Sequence, residues 1–398
     1  MDTVGQPTDA GPLSTRARTK VVMIPSVSGG IGHISRTASL SRALVALDPR
    51  VEIEYLLDTE RLRPFNIDAT RRMGFRPRFL PPRSRDTRDG LVRACLDDAH
   101  VVVDDCARYL LPLRQAVPQV GWVSIAMHPI GDELFMDWPL MAQMDAVIWP
   151  YAPLVDLPAE IAIVADKVVQ TGPFLETDTV PEKEAARAQL GLRGAEPLVL
   201  YAPRGFPFGR EFGHRVLGGI YGALAAMRRG AFPQARLILL AVADLADLRG
   251  VPGMPDPLPN WVQVKGVVTP AEALLHTRAA DAVVGEGTST MHEGAALRTP
   301  LVLAPGPIQE ATLLARKLGT LGAAQVLSPE ATTPDGFAAA FTAALLPGMV
   351  RETALDRAQA LVTGGGGALA AARLVLDVAA RCGARGTRPA AFSASEPL

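Results

Sequence analysis

Short apolar runs alternate with helix-length segments along most of this chain, and this alternation constrains the fold more than any other sequence feature. Residues 20–26 form an apolar run followed by glycines, the pattern of a strand buried in a parallel sheet. Apolar residues recur at helical spacing over 34–47, and 51–57 is again strand-like. These segments predict a βαβ unit. Further strands are predicted at 101–104, 120–125, 146–149 and 167–170.

A stretch with two prolines and a glycine at 171–181 interrupts this alternation, which then restarts. Strands are predicted beyond it at 198–201, 237–240, 262–265, 282–284 and 301–304, with helices at 270–277 and 290–297. We therefore predict an α/β fold in which a second Rossmann-like domain follows the first. The predicted divisions are a flexible tail over 1–19, an N-terminal domain over 20–172, a C-terminal domain over 173–363, an apolar helix over 364–383 and a flexible tail over 384–398.

Charge and composition exclude several classes of function. Forty basic and 41 acidic residues give a formal net charge of −1, which argues against a nucleic-acid partner. The 3 cysteines are scattered and show no zinc-type spacing, as expected for a reducing cytoplasm. The polar N-terminus lacks the apolar core of a signal peptide, and no later segment reaches about 18 consecutive apolar residues. We therefore predict a cytoplasmic protein without a membrane span.

The loop after the first predicted strand contains Gly29, Gly30, Gly32 and His33. Glycines let a ligand approach the backbone closely, and the following helix presents unpaired N–H groups. The complete dinucleotide-binding pattern is not present, because Ser35 stands where the last glycine would be. His33 is a candidate general base, since histidine can accept a proton at neutral pH. The alternative is a histidine that only caps the loop.

A second loop, between the predicted strand 282–284 and the next helix, contains Gly287, Thr288 and Ser289. Small residues before a helix N-terminus are suited to binding a diphosphate through backbone N–H groups and hydroxyls. Glu293, one turn further on, could accept hydrogen bonds from a ribose diol. The alternative is a capping box, because Thr290 and Glu293 have the spacing in which the carboxylate binds the helix's own backbone.

Three more polar residues are candidates for donor binding. Arg204, on a proline- and glycine-rich turn, could bind phosphate, or could be an ordinary surface arginine. Gln309 and Glu310 offer amide and carboxylate groups suited to sugar hydroxyls, or simply form a polar helix start.

Near the first domain's predicted cleft, Asp104 and Asp105 end a strand at a position from which a carboxylate could orient His33. Adjacent acids at a strand end are also often only solvated. His128, in a loop after another strand, is a candidate acceptor-site residue or a plain loop histidine. No Asp-x-Asp motif flanked by strands is present, so we predict no obligatory metal ion.

Together these loops resemble those of the two-domain GT-B glycosyltransferases. This resemblance implies that the two Rossmann-like domains face each other across a cleft and that the helix over 364–383 packs back on the N-terminal domain. The likeness is strongest to glycosyltransferase family 28, the group that adds N-acetylglucosamine to lipid I in bacterial cell-wall synthesis, and to its natural-product relatives. Gly29 to His33, followed by Arg36 and Leu40, resembles the N-terminal glycine-rich loop of that group. Residues 169–173 resemble the segment that closes the first domain, and the stretch 264–310 is the most specific match. Glu286, and Arg204 with Gly205, depart from the pattern of the family.

The resemblance implies an inverting, metal-independent transferase that moves a sugar from a nucleoside diphosphate, UDP before dTDP, to a small-molecule acceptor in natural-product biosynthesis. The nucleotide sugar is then a co-substrate, and no cofactor is obligatory. His33 would be the base oriented by Asp104, and Glu293 would hold the ribose. Donor binding would further involve Arg204, Gly287, Thr288, Ser289, Gln309 and Glu310, and acceptor binding would involve Gly29, Gly30, Gly32 and His128.

Two other functions remain open at this point. One is a non-hydrolysing sugar-nucleotide epimerase, which has a similar fold, and the other is a non-catalytic, transferase-like partner protein. Peripheral membrane contact is also possible, since the cell-wall enzymes dock on the bilayer. A comparable surface, or a binding surface for an acidic acceptor, could be formed by Arg61, Arg63, Phe65, Arg71, Arg72, Phe75, Arg76 and Arg78.

Overall fold

The computed structural model describes most of the chain between residues 18 and 386. The described residues are 18–27, 31–60, 62, 64–82, 87–106, 114, 117–127, 141–151, 153–192, 194, 196–202, 210–240, 242, 245–306, 309–346 and 348–386. Four of the candidate site residues, Gly29, Gly30, His128 and Arg204, lie outside this part of the chain.

The first half of the chain forms a parallel sheet, which in the described residues has seven strands in the order β3-β2-β1-β4-β5-β6-β7. The strands are β1 (Thr19–Pro25), β2 (Val51–Asp58), β3 (Pro77–Leu80), β4 (Val101–Asp105), β5 (Gly121–Ile125), β6 (Ala146–Trp149) and β7 (Val168–Gln170). The helices are α1 (Gly32–Leu47), α2 (Pro64–Arg72) and α3 (Thr87–Leu96). The apolar run in β1 is almost entirely buried, which explains its lack of polar alternation.

The second half forms another parallel sheet, with six strands in the described residues in the order β10-β9-β8-β11-β12-β13. Its strands are β8 (Leu198–Tyr201), β9 (Arg236–Leu239), β10 (Val262–Val264), β11 (Ala282–Gly285), β12 (Leu301–Leu303) and β13 (Ala324–Val326). Its helices are α4 (Lys183–Gln189), α5 (Arg210–Arg228), α6 (Pro270–Ala279), α7 (Thr288–Ala296), α8 (Gln309–Thr320), α9 (Pro334–Leu345) and α10 (Met349–Thr363). The predicted α/β class is therefore confirmed.

Two edge strands, β3 and β13, are absent from the sequence prediction. Both are short and partly exposed, so neither has the continuous apolar run that identifies the central strands. β3 pairs only with β2, and β13 pairs only with β12. An edge strand of this kind is defined by its neighbour in the sheet, which a local pattern does not show.

Strand order places the candidate loops at one point in each sheet. β1 pairs with both β2 and β4, and β8 pairs with both β9 and β11, so the direction of winding reverses at β1/β4 and at β8/β11. Ligands of open α/β sheets bind at the carboxyl ends of strands at such a reversal. The loop with His33 follows β1, Asp105 ends β4, and the loop with Ser289 follows β11.

A final helix, α11 (Gly367–Gly386), joins the end of the chain to the first sheet. It packs against α1, β4 and β5, and its residues Ala371, Ala372 and Val375 are fully buried there. Among the described residues, Met349–Gly383 is long and apolar enough to cross a membrane by length and composition, but an apolar face of α11 is covered by this sheet. The exact domain boundaries given above remain predictions.

The entry to α11 generates a test of this packing. A Cβ atom built on Gly365 would lie 2.5 Å from the carbonyl oxygen of Thr171, at the end of β7. We expect Gly365→Ala to lower the free energy of unfolding by about 1–3 kcal/mol, because neither backbone segment can move easily. Urea unfolding measures this change.

Gly383→Ala, within α11, is the matched control, since a Cβ at Gly383 would meet nothing within 4 Å. Alanine there should stabilise the helix by up to about 1 kcal/mol. An equal loss of stability in both variants would contradict the proposed close contact at Gly365.

Candidate functional site

The two candidate loops lie close together. A Cβ atom built on Gly32, at the start of α1, would lie 3.4 Å from Oγ of Ser289, near the start of α7. The helix starts that follow β1 and β11 are therefore neighbours. Residues predicted separately for acceptor and donor binding come together at this contact.

His33 is held by the carboxylate of Asp105. Its Nδ1 lies 2.9 Å from Oδ1 of Asp105, which is fully buried, whereas the His33 side chain is 22% exposed. Burial by itself would raise the pKa of Asp105, but the charge of Arg36 and the contact with His33 outweigh it and hold this pKa well below the usual range. Asp105 is therefore ionised beside the imidazole.

This geometry corrects the role predicted for Asp104. Successive side chains of a strand point to opposite faces, so the two neighbouring aspartates of β4 diverge. The carboxylate of Asp104 accepts a hydrogen bond from Oγ of Ser124 at 2.9 Å, within the sheet. The carboxylate that contacts His33 belongs to Asp105, one residue further along.

Arg36, one turn after His33 in α1, binds the same carboxylate. Its Nε donates to Oδ2 of Asp105 at 2.9 Å and its Nη2 donates to Oδ1. Its Nη1 donates to the hydroxyl of Tyr151 at 3.3 Å. Arg36 is thus the link between the His33–Asp105 pair and the residue that follows β6.

Tyr151 continues this contact into the second domain. Its ring stacks on that of His292 in α7, with 6.1 Å between the centroids. His292 is only 3% exposed, and its Nε2 has no hydrogen-bond partner among the described residues. Burial, with the nearby charge of Arg36, lowers the pKa of His292 to about 3, so its ring is neutral.

Cys106 completes the group around Asp105. Its φ of 62° lies in the left-handed region, an uncommon conformation outside glycine that often occurs at functional sites. Ligand atoms of His33, Asp105 and Cys106 lie within 4.8 Å of one another, close enough to hold a metal ion. However, Arg36 already binds both oxygens of Asp105, and burial raises the pKa of the Cys106 thiol, so this group is poorly suited to a cation. Metal independence stays a prediction.

The predicted diphosphate loop is the N-terminus of α7. The helix begins at Thr288 with Gly287 as its N-cap, and no side chain caps it. The first backbone N–H groups of a helix have no partner within the helix, and together with the helix dipole they attract an anion. Ser289 is exposed on this first turn. The loop therefore has the donors that the sequence predicted, and what they bind is not fixed by geometry alone.

Glu293 does not form the capping box that was its alternative role. α7 starts two residues before Thr290, so Glu293 lies beyond the turn in which a capping carboxylate acts. Burial raises the pKa of its half-buried carboxyl group to about 7, and no hydrogen bond or charge of a described residue contributes to this shift. A partly buried acid without a partner destabilises the folded chain, as binding groups often do.

Gln309 and Glu310 begin α8 but point in different directions. Gln309 is exposed, whereas Glu310 is only 4% exposed. Glu310 lies near Tyr151 and Cys106 of the first domain. Burial and then the charge of Glu310 raise the pKa of Tyr151. Glu310 thus faces the first domain.

The predicted basic surface is only partly available for binding. Arg72 donates to the carbonyl of Val267 in the second domain at 3.1 Å, and Arg78 forms an ion pair with Glu54. Arg61, Arg63 and the side chain of Phe65 lie outside the described part. The remaining members, Arg71, Phe75 and Arg76, line an open cavity of about 480 Å³.

Sequence reasoning did not identify Tyr151 or His292, and it gave Arg36 no role. Arg36 has a local signal, because residues i and i+3 of a helix are neighbours. His292 is adjacent to Glu293, and Tyr151 follows a buried strand at the cleft side of the sheet. Their contact with each other depends on how the two sheets face, which no local pattern contains.

Solved glycosyltransferase structures share this two-sheet architecture. The chain is similar to the spinosyn rhamnosyltransferase SpnG complexed with spinosyn aglycone (TM-score 0.60, 16% identity, 89% of this chain and 99% of that one). It is similar to glycosyltransferase VinC in complex with dTDP (TM-score 0.62, 13% identity, 91% and 100%). It is also similar to the kitacinnamycin glycosyltransferase (TM-score 0.63, 16% identity, 91% and 99%).

No protein-family model and no curated protein sequence matches the chain. At these low identities the likeness establishes the fold. The predicted GT-B arrangement, with two Rossmann-like domains facing each other, is therefore confirmed.

Glu293 generates a test that needs no substrate. Its pKa is raised from 4.5 to about 7, so between these values the folded chain holds a proton that the unfolded chain has lost. Stability therefore falls as pH rises through this window and stays low above it. We expect Glu293→Gln to raise the free energy of unfolding by about 1–2 kcal/mol at pH 8 and to change it little at pH 4.5. Urea unfolding at both pH values measures the difference.

Glu272→Gln is the matched control. The carboxylate of Glu272 accepts a hydrogen bond from the backbone N–H of Thr269 at 2.8 Å in a true capping box. This control should not gain stability at pH 8. A loss of stability in Glu293→Gln at pH 8 would show that the carboxylate has a structural partner.

Proposed function

We propose that this chain is an inverting, metal-independent glycosyltransferase that moves a sugar from a nucleoside diphosphate to a hydroxyl or amine of a small molecule. One observation carries the proposal. A histidine–carboxylate pair at the carboxyl end of the first sheet lies against an uncapped helix N-terminus at the carboxyl end of the second. The shared fold supports it, since its neighbours include glycosyltransferases named for a bound nucleotide and for a bound aglycone.

The donor would bind against the second domain. N–H groups at Thr288 and Ser289 would hold the diphosphate and stabilise the charge that develops as it leaves. Glu293 would accept hydrogen bonds from the ribose diol, which would explain a half-buried carboxyl group without a partner in the described chain. Arg204 and Gln309 would add contacts to phosphate and sugar, with Glu310 at the interdomain side.

The resemblance in sequence favours a UDP-sugar, and the dTDP bound to VinC supports a dTDP-sugar. Both are pyrimidine nucleoside diphosphates, and we propose this class as the donor. The acceptor would enter against Gly29, Gly30, Gly32 and His128 in the first domain. A role in natural-product biosynthesis in the cytoplasm fits neighbours named for spinosyn and kitacinnamycin.

In the reaction, Nδ1–H of His33 would donate to Asp105, leaving Nε2 to accept the proton of the acceptor hydroxyl. The acceptor oxygen would form a bond to the anomeric carbon as the bond from that carbon to the diphosphate breaks. Attack from the face opposite the leaving group inverts the anomeric configuration.

The proposed function predicts that the chain binds a pyrimidine nucleotide. A thermal-shift titration with UDP, dTDP, GDP and ADP should raise the Tm with UDP or dTDP, by linkage, and the shift should grow with concentration. Ser289→Glu should abolish the shift, because its charge repels the diphosphate, while a carboxylate in the first turn leaves the helix stable.

Ser289→Gln is the matched control, because glutamine is neutral and similar in size to glutamate. This variant should keep most of the shift in Tm. A shift with GDP or ADP alone would overturn the pyrimidine assignment. No shift with any of the four nucleotides would overturn donor binding altogether.

The proposed function also predicts that His33 acts as the base. With the sugar nucleotide selected by that titration, His33→Ala should lower kcat about 10²–10⁴-fold toward alcohol acceptors and leave nucleotide affinity unchanged. The loss should be much smaller with 4-nitrophenol, which ionises without a base. Product NMR should show the inverted anomer, and EDTA should leave the rate unchanged. Equal losses with both acceptors, or a rate restored by Mg²⁺ after EDTA, would contradict this mechanism.

A further inference from the structure

Arg36 has no task in the proposed reaction, yet it lies at the centre of the site. Its side chain is only 15% exposed, and it binds both oxygens of the fully buried Asp105. It also donates to the hydroxyl of Tyr151, and its Nη2 lies 3.2 Å from Nδ1 of His33. A guanidinium so close to a candidate base affects where that base carries its proton.

The position of the proton on His33 follows from these contacts. An ionised carboxylate only accepts hydrogen bonds, and Oδ1 of Asp105 lies 2.9 Å from Nδ1 of His33. Nδ1 must therefore carry a hydrogen, since two acceptors at this distance would repel each other. Nη2 of Arg36 then donates to Asp105, and its charge stands beside the ring. Nε2 of His33 is left as the acceptor.

The other titratable groups around this ring are neutral or more distant. Burial raises the pKa of the Cys106 thiol and of the Tyr151 hydroxyl, and burial keeps His292 of α7 uncharged. Glu310 of α8 acts on Tyr151 and Cys106. Within the described residues, the charges in direct contact with the His33 ring are those of Asp105 and Arg36.

We propose that Arg36 is a positioning residue that fixes the Nδ1–H tautomer of His33 through Asp105. This inference deepens the proposed function, and its consequence for catalysis rests on that function. The planar guanidinium of Arg36 binds Oδ1 and Oδ2 of Asp105 together, so that the carboxylate presents a single oxygen to the imidazole of His33. A lysine would keep the charge but lose the fork.

Histidine side-chain NMR tests this without donor or acceptor. The full chain contains 6 histidines, so ¹⁵N ring spectra are sparse, and His33→Gln assigns the His33 signal by its loss. The unaltered protein should show the Nδ1–H tautomer. In Arg36→Met the Nε2–H tautomer should appear beside it, because the carboxylate of Asp105 is then no longer held by the guanidinium. Arg36→Lys should also show a mixture of tautomers, because lysine lacks the planar fork.

Arg42→Met is the matched control. Arg42 lies on the same helix and pairs with Glu176, at 2.7 Å, away from His33. Its loss should leave the His33 signal unchanged. An Nε2–H tautomer in the unaltered protein, or the Nδ1–H tautomer alone in both Arg36→Met and Arg36→Lys, would overturn the proposal. If Arg36→Met does not fold, the tautomer of the unaltered protein and the Arg36→Lys spectrum decide.

Turnover separates this proposal from the proposed function. In the transfer assay, Arg36→Met should lower kcat with alcohol acceptors far more than with 4-nitrophenol, because it acts through the base. A role limited to folding would lower both rates equally. If the unaltered protein transfers no sugar, the proposed function fails, while the NMR result still decides the role of Arg36.

Discussion

The buried ion pair of Asp105 with Arg36 is the interaction on which the site depends. A carboxylate taken out of water at the end of β4 would destabilise the fold by several kcal/mol without a partner. Arg36 provides the charge, and His33 provides a further hydrogen bond. Because Arg36 also reaches Tyr151, which stacks on His292, this pair connects α1, β4 and the second domain in one network. His33, the proposed base, thereby contacts a network that joins the two domains.

The second domain contributes groups that its own fold does not use. α7 begins without a side-chain cap, and Glu293 is half-buried without a partner in the described chain. Both features reduce stability, and both would be satisfied by one ligand with an anionic and a hydroxyl-bearing part. α11 returns to the first sheet, so the end of the chain stabilises the domain opposite the proposed donor site.

Much of the fold could be predicted because its signals are local. The buried runs in β1, β4 and β11 and the glycines beside them identified both cleft loops. Errors arose where one residue decides the outcome. Asp104 and Asp105 look equivalent in sequence, but the pleat of β4 sends only one toward His33. Glu293 has capping-box spacing from Thr290, but the helix starts at Thr288, which removes that role.

The sequence by itself determined two α/β units, the order of their strands along the chain and the loops at which ligands could bind. These follow from periodicity and from glycine positions, which act over a few residues. Only the tertiary structure decided that Asp105 and Arg36 bind each other beside His33. It alone also decided that the ring of Tyr151 stacks on that of His292 and that Ser289 lies close to Gly32. The reason is that such contacts join segments far apart in sequence, and their geometry is set by sheet order and by the facing of two domains.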